Sequence, residues 1–169
     1  MFEQREGEVA MADDPAQMRP DAGIIFIGSI ASPWKRREDC PKNMNAARET
    51  GRGATLLIDP PYRPGLAGLE GASHLVVLSW LQHAPRNLII QKPRHATEAK
   101  GVFALRTPAR PNPVGLHIAG IVSIDIEAGR IELDAIDVLD GTPVIDLKPY
   151  FPSVDSFPDA VRPAKATAE

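Results

Sequence analysis

An all-β domain built around a barrel, with long loops and little helix, is the fold class this sequence predicts. Three observations lead there. Residues 114–126 alternate over a long span, with Val114, Leu116, Ile118, Val122, Ile124 and Ile126 on one parity and His117, Ser123 and Asp125 on the other. A tight "EAGR" turn then leads into a second alternating run through Ile131, Leu133 and Ala135. No sustained helical periodicity stands out anywhere in the chain. Strands of such length curve, and closing the sheet removes its exposed edges.

The elements follow in order. Residues 1–22 are polar and acidic and read as a disordered extension, in which Met11 is an alternative start. They lack the basic-then-apolar pattern of a secretory leader. "GIIFIGSI", residues 23–30, is β-branched and ended by the turn residues "ASP", so it reads as the first strand of a domain spanning 23–159. Residues 34–54 carry many charges and no period, and read as a long loop. "TLLIDPPY" is a strand stopped by Pro60 and Pro61. A turn, or a single helical turn, precedes a buried strand from His74 to Leu81. "GVFALR" reads as a short apolar strand. Asp140-Gly141 between apolar runs is a hairpin signal, and residues 160–169 read as a flexible tail.

Composition narrows the function classes. Of the 169 residues, 43% are hydrophobic and 24% charged, as in soluble globular domains. Aromatics are only 5%, which argues against modules that stack several bases. The net charge of −3 leaves no global basic field, so contact with nucleic acid must come from a local patch such as "WKRR" or "KPRHATEAK". Cys40 is the only cysteine, which rules out an intrachain disulfide and a thiolate-built zinc site and fits a reducing, cytoplasmic setting. Four dispersed histidines suggest no metal site. No apolar run is long enough for a membrane helix.

The chemistry-bearing stretches are three. In "ALRTPARPNPVGL", residues 104–116, the positions before proline are driven into extended geometry, so Arg110 and Asn112 share a side. The prolines stiffen the stretch in advance of any ligand, although a stiff edge loop with solvated arginines would look the same. In residues 134–152, Asp137 falls on the apolar parity, and a carboxylate there needs a partner. Asp146 and Lys148 read as a surface ion pair. In "SHLVVLSWLQH", His74 reads as a hydrogen-bonded structural residue, and Gln82 and His83 end the strand, where binding groups often sit. His117 is a lone histidine on the parity opposite the apolar one. No phosphate-binding glycine loop, dinucleotide fingerprint or nucleophile elbow is present.

"GVFALRTPARPNPVGL", "DVLDGTPVIDLKPY", "GLEGASHLVVL" and "IGSIASPWK" together resemble the signature segments of the TsaA/YaeB-like (TrmO) family, over about Ile24 to Asp159. The resemblance implies a single-sheeted β-barrel, usually a homodimer, that binds S-adenosyl-L-methionine. It further implies methylation of N6 of threonylcarbamoyladenosine beside the tRNA anticodon. Carried over by matched position, the implied cofactor residues are Pro41, Lys42, Asn43, Gln82, His83, Arg106, Leu116, Asp134, Ala135, Ile136 and Asp137. Asp137, His83 and Arg110 are the implied catalytic candidates, with His117 a further possible base. Arg106 or Arg110 would pair with a substrate carboxylate or phosphate. The family often has a small residue where this chain has His117, and some members have His-Gln where it has Gln82-His83. Methyl transfer to another small molecule or RNA, and non-catalytic cofactor binding, stay open.

Overall fold

The computed structural model describes residues 4–93 and 96–161. Arg94 and His95 of the basic run, most of the expected tail and the first three residues of the expected extension lie outside them. In chain order the elements are β1 (Val9–Ala10), β2 (Gly28–Ala31), α1 (Met44–Glu49), β3 (Ala54–Ile58), β4 (His74–Trp80), β5 (Leu88–Gln91), β6 (Lys100–Gly101), β7 (Val114–Asp125), β8 (Arg130–Leu133), β9 (Thr142–Pro149) and α2 (Pro152–Asp155). They divide into two compact units, one made of residues 24–82 and 114–156, the other of residues 83–113 with both terminal segments.

The larger unit is a closed six-stranded barrel in the order β2-β3-β8-β7-β4-β9, antiparallel throughout. Its interior is filled from alternate positions of every strand. Ile30, Leu56, Leu75, Val77, Ala119, Ile131 and Val144 are fully buried there, as the two-residue period of a pleated strand requires. The expected strands in "TLLIDPPY" and from His74 are present as β3 and β4. The "EAGR" turn joins β7 to β8, with Gly129 at φ 68°, a conformation open to glycine at no steric cost.

The alternation in β7 is real, but its first half faces the other way from the expectation. Gly115, His117 and Ala119 point inward, while Val114 and Leu116 are exposed on the outer face. The register of β7 against β8 then shifts between Ile121 and Ser123. This bulge reverses the facing of the strand, so Ile124, and Ile126 in the turn just after the strand, pack on the core. An uninterrupted parity across the whole strand was the wrong assumption.

Other departures have equally local causes. Only the last residues of "GIIFIGSI" pair; Ile24, Ile25 and Phe26 are exposed and outside any strand. The 34–54 stretch contains α1, capped by Asn43, whose side chain accepts a hydrogen bond from the Ala46 N–H at 3.0 Å. Asp140-Gly141 is not a two-residue hairpin, because β8 pairs with β3 and β7 whereas β9 pairs with β2 and β4. It is a turn into β9, closed by Thr142 donating from both N–H and Oγ1 to the Leu139 carbonyl.

The smaller unit holds a second sheet, β1-β5-β6, so a single sheet does not describe the chain. The expected strand in "GVFALR" is instead a 3-10 turn over Val102–Ala104, in which Val102 is buried and Phe103 exposed. The N-terminal stretch, expected as a disordered extension, supplies β1 and the buried Glu8. Burial pushes the Glu8 carboxyl up, but the Arg5 N–H and guanidinium and the Lys92 N–H all donate to it and hold it below its ordinary value.

Candidate functional site

In the barrel unit, the segment after β8 is stitched to the chain leaving β2. The Trp34 indole donates to the Ile136 carbonyl at 2.7 Å, and Ser32 Oγ donates to the Val138 carbonyl at 2.7 Å. The Ser32 N–H donates to Asp140 Oδ1, and Lys35 pairs with Asp140 Oδ2 at 2.6 Å. Ile136 and Val138 are buried on either side of Asp137. Both flanking side chains are therefore anchored in the core, and both flanking carbonyls are held. The backbone of Asp137 has little freedom left.

The Asp137 side chain meets a buried polar chain. His117 Nδ1 lies 2.7 Å from Asp137 Oδ1, and His117 Nε2 lies 2.9 Å from Ser79 Oγ. His117 and Ser79 point into the barrel from β7 and β4, with Val77 paired to His117 and Ser79 to Gly115. With a neutral imidazole beside an ionised carboxylate, which only accepts, Nδ1 carries the proton and Nε2 accepts from the serine hydroxyl. Gly115 makes room for this. A Cβ there would collide with Ser79 Oγ and fall 2.6 Å from His117 Nε2.

Cys40 joins the same neighbourhood. Burial, reinforced by the Asp137 charge and opposed by Arg37, pushes its thiol up to about 11, so near neutral pH it is a protonated thiol and a poor nucleophile. It directly precedes Pro41, Lys42 and Asn43. Of these, Pro41 is half-buried, Lys42 is exposed and Asn43 caps α1. Asp134 is bound within the barrel: Oδ1 accepts from the Gly120 N–H at 2.8 Å, and Oδ2 from Arg48 Nε at 3.1 Å. Ala135 and Ile136 are fully buried, and Leu116 faces outward. Gln82 is exposed at the end of the barrel chain, just after β4.

The remaining sequence candidates belong to the smaller unit. His83 and Arg106 are exposed. Arg110 bends back on its own loop, with Nη2 donating to the Val102 carbonyl at 3.0 Å and the Leu105 carbonyl at 2.7 Å. Its Nε is buried without a hydrogen-bond partner. Asn112 receives a 3.4 Å bond from Arg86, whose Nε also donates to the Pro111 carbonyl at 2.6 Å. The proline-rich stretch is thus braced by arginines on its own carbonyls, in addition to its prolines.

Sequence reading flagged Asp137 and named His117 but missed Ser79. Its signal was available: Ser79 has the parity of Leu75 and Val77, the two inward residues of β4. No group of three His, Cys, Asp or Glu residues able to hold a metal occurs among the described residues. No described helix is long and apolar enough to cross a membrane.

A closed antiparallel barrel presenting one rigidly held carboxylate defines the class, and it differs from the α/β sheets that seat ligands at a switch point between parallel strands. Residues 29–156 match the family model of the tRNA-methyltransferase O N-terminal domain, and the chain belongs to that family. It is 40% identical to a probable S-adenosyl-L-methionine-binding protein of Methanothermobacter thermautotrophicus, over 87% of this chain and 98% of that protein. It is 31% identical to the tRNA (adenine(37)-N6)-methyltransferase of Escherichia coli, over 79% of this chain and 60% of that enzyme. A crystal structure of TrmO from Pseudomonas aeruginosa superposes with a TM-score of 0.68 at 31% identity, covering 89% of this chain and 64% of that one. The chain therefore spans less than two thirds of the length of these last two relatives.

Proposed function

We propose that this protein is an S-adenosyl-L-methionine-dependent methyltransferase acting on N6 of the adenine beside the tRNA anticodon, with threonylcarbamoyladenosine as the substrate base. The family membership over residues 29–156 supports the class. The observation that carries the site is Asp137, a carboxylate held by its backbone neighbours and by His117. Its donor set fits a cationic ligand group: an oxygen acceptor on a rigid mount, whose described side-chain partner is the His117 imidazole.

When bound, the cofactor supplies an activated methyl group on a positively charged sulfur. The chain's part is alignment and charge. Asp137 would attract the cofactor's cationic centres, and the Pro41–Asn43 loop beside Cys40 would shape the same pocket. Positioning of this kind can supply much of the rate of an in-line transfer. Arg106 is the residue proposed to meet a substrate carboxylate or phosphate, as a guanidinium does well. Arg110 is the alternative for the same role. A homodimer is proposed as the working form, supported by the exposed Val114, Leu116 and Val122 on β7.

A second reading has its own support. The relative covered along 98% of its length is named only as a probable binding protein. Cofactor sensing without transfer is that reading. The experiment is calorimetric titration of S-adenosyl-L-methionine, followed by methyl-labelled cofactor with threonylcarbamoylated and unmodified tRNA. Label on the modified nucleoside alone supports the full proposal. Label on both tRNAs leaves the methyltransferase and removes the substrate preference. Binding with no label on any RNA selects the sensor, and no binding removes both readings.

A further inference from the structure

Ser79, His117 and Asp137 have the connectivity of a nucleophilic triad, serine to imidazole to carboxylate. The exposure runs the opposite way. In a hydrolytic triad the serine is at the mouth and the carboxylate is buried behind it. Here Ser79 is fully buried, His117 is 5% exposed and the Asp137 side chain is 17% exposed. The serine cannot meet a substrate, whereas the carboxylate can.

We infer that Ser79 and His117 are positioning residues that hold Asp137 as a fixed anion for a cationic ligand centre, and that Asp137 is not the proton acceptor of the reaction. The argument is the direction of the hydrogens. Ser79 donates to Nε2 and Nδ1 donates to Oδ1, so both bond dipoles point their positive ends toward the carboxylate. Such a chain is cooperative in a low-dielectric interior, and its donors face an acceptor that as a neutral acid would carry a proton of its own. A general base has to become that neutral acid in mid-reaction. A cation partner has to stay charged. The second task is the one this chain of donors serves.

Cys40 lies close enough to Asp137 for a charge on that carboxylate to act on its thiol. The placement of His117 also explains Gly115: any side chain there would occupy the space of the Ser79–His117 contact. The role of the anion rests on the proposed cofactor, whose sulfonium and α-ammonium are the two candidate centres. The direction of the relay does not rest on it.

The test has two arms. Nitrogen-15 histidine NMR on the parent protein reads the relay directly, and with four histidines assignment by substitution is practical. The expected result is one imidazole locked with the proton on Nδ1. A proton on Nε2, or averaged tautomers at His117, would overturn the relay whether or not any ligand binds. The second arm measures cofactor affinity and single-turnover methyl transfer for His117→Asn, His117→Gln and Asp137→Asn, each checked for folding by thermal melting. Asparagine keeps a donor where Nδ1 stood and glutamine does not. Asp137→Asn and His117→Gln should weaken S-adenosyl-L-methionine binding by about 10- to 100-fold, the usual worth of a hydrogen bond to a charged group, with His117→Asn close to the parent. S-adenosylhomocysteine separates the centres: a loss confined to the methylated cofactor assigns the sulfonium, and an equal loss assigns the ammonium. Asp137→Asn that binds normally but no longer turns over would make Asp137 a base and sink the inference. Failure of the parent to bind would remove the cofactor while the NMR result still decides the relay.

Discussion

Replacing Gly115 by alanine tests the buried relay through packing alone. The new methyl would collide with Ser79 Oγ and lie 2.6 Å from His117 Nε2, inside the 3.4 Å at which ordinary contacts begin. Neither neighbour can swing into solvent, because Ser79 is fully buried and His117 nearly so. The imidazole must retreat, and bonds of 2.9 Å and 2.7 Å cannot both survive the move. Overpacking costs about 1–3 kcal/mol, and a broken buried hydrogen bond about 1–3 kcal/mol. Gly115→Ala should therefore lose about 3 kcal/mol, a large share of a typical domain's 5–15 kcal/mol. Ser79→Ala, which leaves Nε2 without its donor, should lose about 1–2 kcal/mol. The two changes strike the same bond, so the double variant should lose at least about 1 kcal/mol less than the sum. Urea unfolding of the four proteins measures all three quantities. A neutral Gly115→Ala, or additivity within about 0.5 kcal/mol, would show that the relay is not what Gly115 makes room for.

Three more outcomes can be measured. Alkylation of Cys40, the single cysteine, should follow a thiol ionisation near pH 11, and Asp137→Asn should lower that value while burial keeps it above that of a free thiol. Gly28→Ala should be severely destabilising, because its Cβ would strike the Leu57 carbonyl in the adjoining strand, whereas Gly65→Ala, with open space around it, should be tolerated; thermal melting separates them. Glu132 and Asp140 are held below their ordinary values of 4.5 and 3.8, mainly by the Thr55 hydroxyl and by Lys35 respectively. Folded values below unfolded ones mean that this stability is present above those values and is lost as pH falls through the folded ones. Thr55→Val and Lys35→Met should each flatten the acid limb of urea-unfolding stability.

The barrel was legible because its strands obey a two-residue period, and β3, β4 and the β7–β8 hairpin followed from it. What the period could not reveal was a single-residue interruption. An extra residue at a bulge leaves the letters of the strand unchanged and reverses which of them face inward, so His117 was assigned to the wrong side. Asp137 was flagged on the parity of Ile131, Leu133 and Ala135, yet the strand ends at Leu133. The flag was useful for a reason other than the one that raised it. The pairing partners of β9 and the second sheet depend on contacts between distant segments, for which local pattern carries no signal. Ser79 was overlooked because one hydroxyl among apolar neighbours reads as a tolerated polar residue until its acceptor is known.

The irregularity in β7 gives one strand two trades. Ahead of it, the inward positions include Gly115 and His117 of the polar site; past it, Ile124 and, in the turn that follows, Ile126 pack on the apolar core. Changes of chemistry in the first half need not disturb the packing of the second, since the pattern is reset between them. Deleting Val122 would put both halves back in step, turning Ile124 and Ile126 outward or His117 out of the barrel. A chain with that deletion would have to give up either that packing or its site, so this one unmatched residue is what lets a single strand keep both.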